Sequence, residues 1–161
     1  MTYPITPAIR VLRENKIEFE PHIFEYVEKG GTSHSSQSLR IDEHAIIKTL
    51  VFETNEKKPL IVLMHGDLQV STKNLARHLN VKSVAPISPE KAQKLTGYLV
   101  GGTSPFGTKT KMPVYVEKTI FDLDKIYLNG GKRGFLVAIE SKVLVEVLQI
   151  EKVEIGILAT N

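Results

Sequence analysis

None of the 161 residues is a cysteine. That removes disulfides, thiolate metal ligands and a cysteine nucleophile together. Long apolar runs are missing too. The longest stretches, such as Leu60 to Met64, fall far short of the ~20 residues a spanning helix needs. The opening Met1-Thr2-Tyr3-Pro4 has neither the basic patch nor the apolar core of a secretory signal. A cytoplasmic location without a membrane partner is therefore expected. The five histidines, His22, His34, His44, His65 and His78, form no His-x-x-x-His pair, so neither a metal nor another cofactor is expected. No Gly-x-Ser-x-Gly nucleophile elbow occurs. A phosphate-loop match fails as well. Gly102 and Gly107 have its spacing, but Thr108-Lys109 inverts its last two residues, and Met112 to Val116 reads as a strand where that motif opens a helix.

What remains suits one domain, over residues 1–161. Hydrophobic residues make up 42% and charged residues 24%, ordinary globular usage, and no repeat or long linker divides the chain. The net charge is +3, from 21 Lys and Arg against 18 Asp and Glu, a weak pull on a polyanionic partner. Position says more. Lys109 and Lys111 follow one glycine loop, and Lys132 and Arg133 sit in another.

Thr6 and Pro7 cap a first helix, with Ala8, Val11 and Leu12 at helical spacing. Glu18 to Tyr26 is extended, and Pro21 marks an edge strand. Glu28 to Ser38, polar and serine-rich, reads as a loop with room for a short helix before Leu39. Ala45 to Glu53 and Pro59 to His65 are strands, and Gly66-Asp67 turns the chain toward a helix running from Ser71 to Asn80. Val81 to Ile87 is a strand, and Ser88-Pro89 to Gly97 a helix. Tyr98 to Val100, Val114 to Val116, Lys125 to Leu128 and Gly134 to Ile139 are strands. Asn129-Gly130-Gly131 supplies the turn between the last two, and Ser141 caps a final helix ending near Leu148. The economical fold is α+β, a mixed, barrel-like sheet with helices outside.

Three places stand out. In Gly101 to Gly107, paired glycines, Pro105 and two hydroxyls, Thr103 and Ser104, suit an anion nest or an oxyanion hole, or equally a tight turn. Strand alternation groups Lys48 with Ile46, Leu50 and Phe52. A cation on that apolar face either serves a ligand or snorkels to water at an edge. Gly130 to Gly134 places Lys132 and Arg133 on a glycine turn, suited to phosphate or simply solvated.

Together, Lys48-Thr49-Leu50, the run Thr96 to Gly107 and the run Gly130 to Gly134 resemble the signature segments of the YbaK/EbsC and prolyl-tRNA-synthetase-associated editing domains. Order and spacing agree from about Thr6 to Leu148. The resemblance implies a closed mixed barrel with surrounding helices. It also implies removal of wrong amino acids from tRNA, by water or by the substrate's own thiol. Lys48, Gly101 and Gly102 would then be catalytic. Phe24, Thr49, Thr103, Ser104, Pro105, Gly107, Asn129, Gly130 and Gly131 would shape the substrate site, and Lys109, Lys111, Lys132 and Arg133 would bind tRNA. Aminoacyl-tRNA is the implied partner, with a synthetase as a second. Several positions depart from that pattern. Phe24 stands where tyrosine is expected, Thr103 for an apolar residue, Asn129 for serine, Leu136 for aspartate, and Gly30 and Gly31 for a pocket aromatic.

Overall fold

The computed structural model describes residues 2–159. In chain order the elements are α1 Pro7–Glu14, β1 Glu20–Ile23, α2 Gly31–Leu39, β2 Ile46–Thr54, β3 Pro59–His65, β4 Leu68–Val70, α3 Thr72–Leu79, β5 Val84–Pro86, α4 Pro89–Thr96, β6 Val114–Glu117, β7 Lys125–Lys132, β8 Phe135–Glu140, α5 Val143–Val147, β9 Ile150–Val153 and β10 Gly156–Leu158. Short 3₁₀ turns at Glu43–Ala45 and Lys118–Asp122 precede β2 and follow β6.

The large sheet is mixed, in the order β1-β8-β7-β2-β3-β6-β9, with β5 also paired to β2. β4 and β10 form a separate pair. β1 and β9 end the ladder and do not pair with each other among the described residues, so the barrel is rolled but open. Its concave side holds the main core, where Ile47, Ile61, Leu63, Val116, Leu128 and Val137 from five strands meet Ile9 and Leu12 of α1 and Leu144 of α5. Alternation sends Phe52, Leu60, Val62 and Met64 to the other face, where they pack with Leu75 of α3 in a second core. β2 and β3 are thus buried on both sides, which explains their nearly continuous Ile, Leu and Val.

Local chemistry explains the ends of the helices. Thr6, Ser71 and Ser88 accept hydrogen bonds from Ile9 N, Asn74 N and Lys91 N as N-caps. Asn80 and Gly97 close α3 and α4 in the left-handed conformation. Pro21 lies in β1, an edge strand as expected.

Other expectations give way. The segment Glu28 to Ser38 is not mainly loop, because α2 begins at Gly31. Its poor intrinsic propensity is offset by tertiary anchors: Thr32 Oγ1 donates to Glu43, and His34 bonds the Glu25 carbonyl. Gly66-Asp67 leads first into β4, not directly into a helix. Tyr98 to Val100 is not a strand. Tyr98 turns inward to donate to Phe106 O at 2.6 Å, leaving Leu99 and Val100 about half exposed. Asn129-Gly130-Gly131 is a bulge inside β7, where the register slips between Asn129 and Lys132. The turn comes later, at Arg133-Gly134. Ser141 makes no side-chain cap, and β9 and β10 follow α5, adding a parallel partner to β6.

Candidate functional site

β2 and β7 run parallel but pair only at Ile46–Tyr127 and Ile47–Leu128. Beyond that, β2 turns toward β5 and β7 bulges. Two parallel strands whose carboxyl ends part leave a crevice open to a ligand. The residues at the fork are Lys48 and Asn129. Ile47 and Leu128 point into the main core, so Lys48 and Asn129 take the opposite face, one strand spacing apart.

Asn129 ties the glycine loop to this fork. Its Nδ2 donates to Gly101 O at 3.0 Å, and its Oδ1 accepts from the N–H groups of Gly131 (2.7 Å) and Lys132 (3.0 Å). Arg133 Nε donates to Val100 O at 2.9 Å, and its guanidinium lies 5.0 Å from the Tyr26 ring centre. Thr6 Oγ1 donates to Gly130 O at 2.5 Å, linking the start of α1 to the bulge. Gly101 has φ +91°, and a Cβ there would lie 2.9 Å from Tyr26 Oη. Gly102 is as tight, with a Cβ 2.8 Å from Arg133 N. The loop and the β7–β8 hairpin are therefore one interlocked unit.

That lock narrows the expected nest. The Gly102 N–H is committed to Leu99 O at 2.8 Å, and the buried Ser104 hydroxyl accepts from Phe106 N at 3.1 Å. Neither is free to meet a substrate. The N–H groups of Gly101 and Thr103 have no protein acceptor among the described residues. Pro105 is buried and Gly107, at φ +69°, abuts the Pro7 carbonyl.

Lys48 Nζ donates to Leu68 O at 2.5 Å. Burial holds its pKa below the ordinary lysine value, opposed by the charges of Glu43 and Asp67. Thr49 faces the other way, toward the main core, with its hydroxyl buried and unpaired. Phe24 follows β1 beside the β7–β8 hairpin, its N–H donating to Gly134 O at 3.0 Å and its ring 5.9 Å from that of His34, while Leu136 pairs with Asn129 on the same face and is buried. Lys132 and Arg133 are exposed beside the loop, and Lys109 and Lys111 are exposed beyond it.

The sequence reading missed Tyr26, which stands over Gly101, and a polar cluster behind Lys48. His44 Nδ1 meets Asp67 at 2.9 Å, and the His44 and His65 rings stack at 3.7 Å, 4° from parallel. His65 Nδ1 donates to His44 O (2.7 Å) and Nε2 accepts from Thr119 Oγ1 (2.7 Å). Both ring nitrogens of His65 are thus occupied, and stacked rings direct their in-plane lone pairs side by side. The trio His44, His65 and Asp67 is close enough to suggest a metal, but this geometry fits a hydrogen-bonded cluster instead. His65 and Asp67 are close in the chain, and the pairing of β2 with β3 brings His44 to them. Two surface concavities, of about 450 and 910 Å³, include neither Lys48 nor the glycine loop.

Among described residues no helix is long and apolar enough to cross a membrane. The family model for the aminoacyl-tRNA editing domain matches residues 30–147. The chain is 27% identical over 151 residues to the Enterococcus faecalis protein named "Putative Cys-tRNA(Pro)/Cys-tRNA(Cys) deacylase EbsC", covering 93% of this chain and 92% of that one. It is 29% identical to part of the proline–tRNA ligase of Streptococcus equi subsp. zooepidemicus, over 60% of this chain and 16% of the ligase. Hypothetical protein APE2540 shares the fold, with a TM-score of 0.85 at 19% identity, covering 94% of this chain and 99% of the other. So does "a putative trans-editing enzyme for prolyl tRNA synthetase", with a TM-score of 0.80 at 18% identity, covering 96% and 99%. Both glycine segments and Lys48 fall inside the matched span, and the chain belongs to the aminoacyl-tRNA editing domain family.

Proposed function

We propose that this chain, over residues 1–161, is a trans-editing aminoacyl-tRNA deacylase of the cytoplasm. Cysteine on tRNA(Pro) is its default substrate, and alanine is the second. The observation that carries this reading is the fork, where Asn129 ties the Gly101 loop to β7, the strand that runs beside the one bearing Lys48. A half-buried ammonium on one wall, with loop N–H groups that have no protein acceptor tied to the other, suits an ester carbonyl gaining negative charge under attack. It equally suits the phosphate of the terminal nucleotide. The attacker is water, releasing the amino acid, or the substrate's own thiol, releasing a thiolactone. In either case the C–O bond to the terminal ribose breaks, and the ribose oxygen takes up a proton.

Such an enzyme meets a plain physical need. A synthesis site separates near-isosteric side chains by only ~1–3 kcal/mol, so a second sieve is required. The name borne by the EbsC relative supports cysteine as default. Likeness to part of the proline–tRNA ligases supports a synthetase as docking partner. Phosphate contacts are assigned to Lys109, Lys111, Lys132 and Arg133. Leu136, buried behind Asn129, and Gly30 and Gly31 favour a second reading. In it the chain is a tRNA-binding module that keeps the fold without the chemistry.

Incubation with separately charged Cys-tRNA(Pro), Ala-tRNA(Pro) and Pro-tRNA(Pro) tests both readings. The enzyme clears a mischarged species and spares the correct one, and the binder retains all three. Lys48→Ala should slow clearance at least ~10-fold, ~1.4 kcal/mol of barrier. Full activity in a folded Lys48→Ala protein sinks the role given to this lysine.

A further inference from the structure

Lys48 is an ammonium on an otherwise apolar strand face, and its protein hydrogen bond goes to a single carbonyl, Leu68 O. That carbonyl opens β4, which among the described residues pairs only with β10 and is no part of the main sheet. Its position therefore depends on the Gly66-Asp67 turn just before it. Three separate attachments hold the turn. Gly66 N donates to Ile46 O at 2.7 Å, and Thr32 Oγ1 of α2 contacts both Gly66 O (3.1 Å) and Glu43 Oε2 (2.7 Å). Asp67 is gripped by His44 through both carboxylate oxygens, at 2.9 and 3.1 Å. His44 is itself stacked on buried His65, which is fixed at both nitrogens. The fit leaves no slack, since a Cβ at Gly66 would lie 2.7 Å from Thr32 Oγ1 and 2.8 Å from Glu43 O.

We propose that Glu43, His44, Asp67 and Thr32 form a positioning device for Lys48, holding its carbonyl anchor in place and supplying its counter-charge from behind the fork. These side chains do not touch the substrate and act through the lysine. Burial alone weakens the lysine's hold on its proton, and the two carboxylates oppose that loss. The titratable groups set around Lys48 are Glu43 and His44 from the 3₁₀ turn, His65 from β3 and Asp67 from the β3–β4 turn. Tyr127 lies on the neighbouring strand. Only Glu43 and Asp67 offer a negative charge near neutral pH.

This inference rests on the deacylase reading for its purpose but not for its test. The isosteric variants Asp67→Asn and Glu43→Gln keep the shapes and remove one charge each. The Lys48 titration is followed by NMR in the free protein carrying ¹³C-labelled lysine, with the resonance assigned by its loss in Lys48→Ala. Each variant should move that midpoint to lower pH, because one of the two opposing negative charges is gone. The alkaline limb of the deacylation profile should move the same way, with kcat falling above it and recovering below. Arginine at position 48 stays charged, so Lys48→Arg in the Asp67→Asn background should remove the shift. An unchanged Lys48 midpoint in both folded variants overturns the device. A shifted midpoint with undiminished deacylation by Lys48→Ala keeps the device and refutes the deacylase role of the lysine.

Discussion

Gly101 and Gly107 bracket the loop, both with positive φ, yet adding a methyl group should rank them differently in stability and in activity. At Gly107, φ is +69° and a Cβ would meet the Pro7 carbonyl oxygen at 2.8 Å and its carbon at 2.9 Å. These are backbone atoms at the first turn of α1, next to fully buried Phe106, so nothing can step aside. Backbone strain of about 1–2 kcal/mol then adds to overpacking of about 1–3 kcal/mol. At Gly101, φ is +91° and the nearest atoms, at 2.9 to 3.3 Å, belong to the tip of the part-exposed Tyr26 ring. That ring can swing away, so Gly101→Ala should lose only the strain, about 1–2 kcal/mol. Urea unfolding with unchanged m-values measures both losses. Deacylation should show the reverse ranking, because Gly101 stands at the fork, its carbonyl held by Asn129, and Gly107 instead packs against Pro7. Assayed where both are folded, Gly101→Ala should slow turnover at least ~10-fold, and more than Ser104→Ala, whose hydroxyl serves Phe106. If Gly101→Ala proves the less stable protein and Gly107→Ala the less active, the assignment of roles within the loop is wrong.

Replacing Lys109, Lys111, Lys132 and Arg133 together by alanine should weaken tRNA binding at low salt and flatten its salt dependence. Cleavage of a minimal aminoacyl-ester fragment should stay nearly unchanged, and parental affinity at every salt concentration would move the search for the RNA surface to 28–38. Burial holds the His65 pKa below its ordinary value of 6.5. The unfolded chain therefore takes up a proton that the folded one refuses as pH falls through that value, and stability drops. Between about pH 7 and 5, His65→Gln should show a shallower loss in its urea midpoint than the parent, and identical slopes would refute the linkage.

Elements with a local cause could be read from the sequence. Thr6, Ser71, Ser88, Asn80 and Gly97 stop or start helices through bonds within one turn, and β3 was bounded correctly by its unbroken apolar run. Lys48 was legible as an anomaly of alternation. What escaped reading depends on partners distant in the chain. α2 is anchored where Thr32 and His34 find Glu43 and Glu25, and the bulge of β7 begins at Asn129, whose amide reaches Gly101, 28 residues away. Tyr26 and the His44–His65–Asp67 cluster carry no local signature either. The sheet order that juxtaposes them is a property of pairing between strands, which the residues of one segment do not encode.

The two walls of the fork are tethered to different parts of the molecule. Past Ile47, β2 leans on β3 and β5, whereas past Leu128, β7 leans on β8 and the glycine loop. Among the described residues no ladder bond crosses the gap, so each wall is braced from its own side. A molecule seated there would take the place of the missing rungs and bridge the two walls. Anything long enough to touch both sides would stiffen the mouth as it bound, and anything too short would leave the walls as independent as before. The width of the fork is set by strand pairing and not by any one side chain.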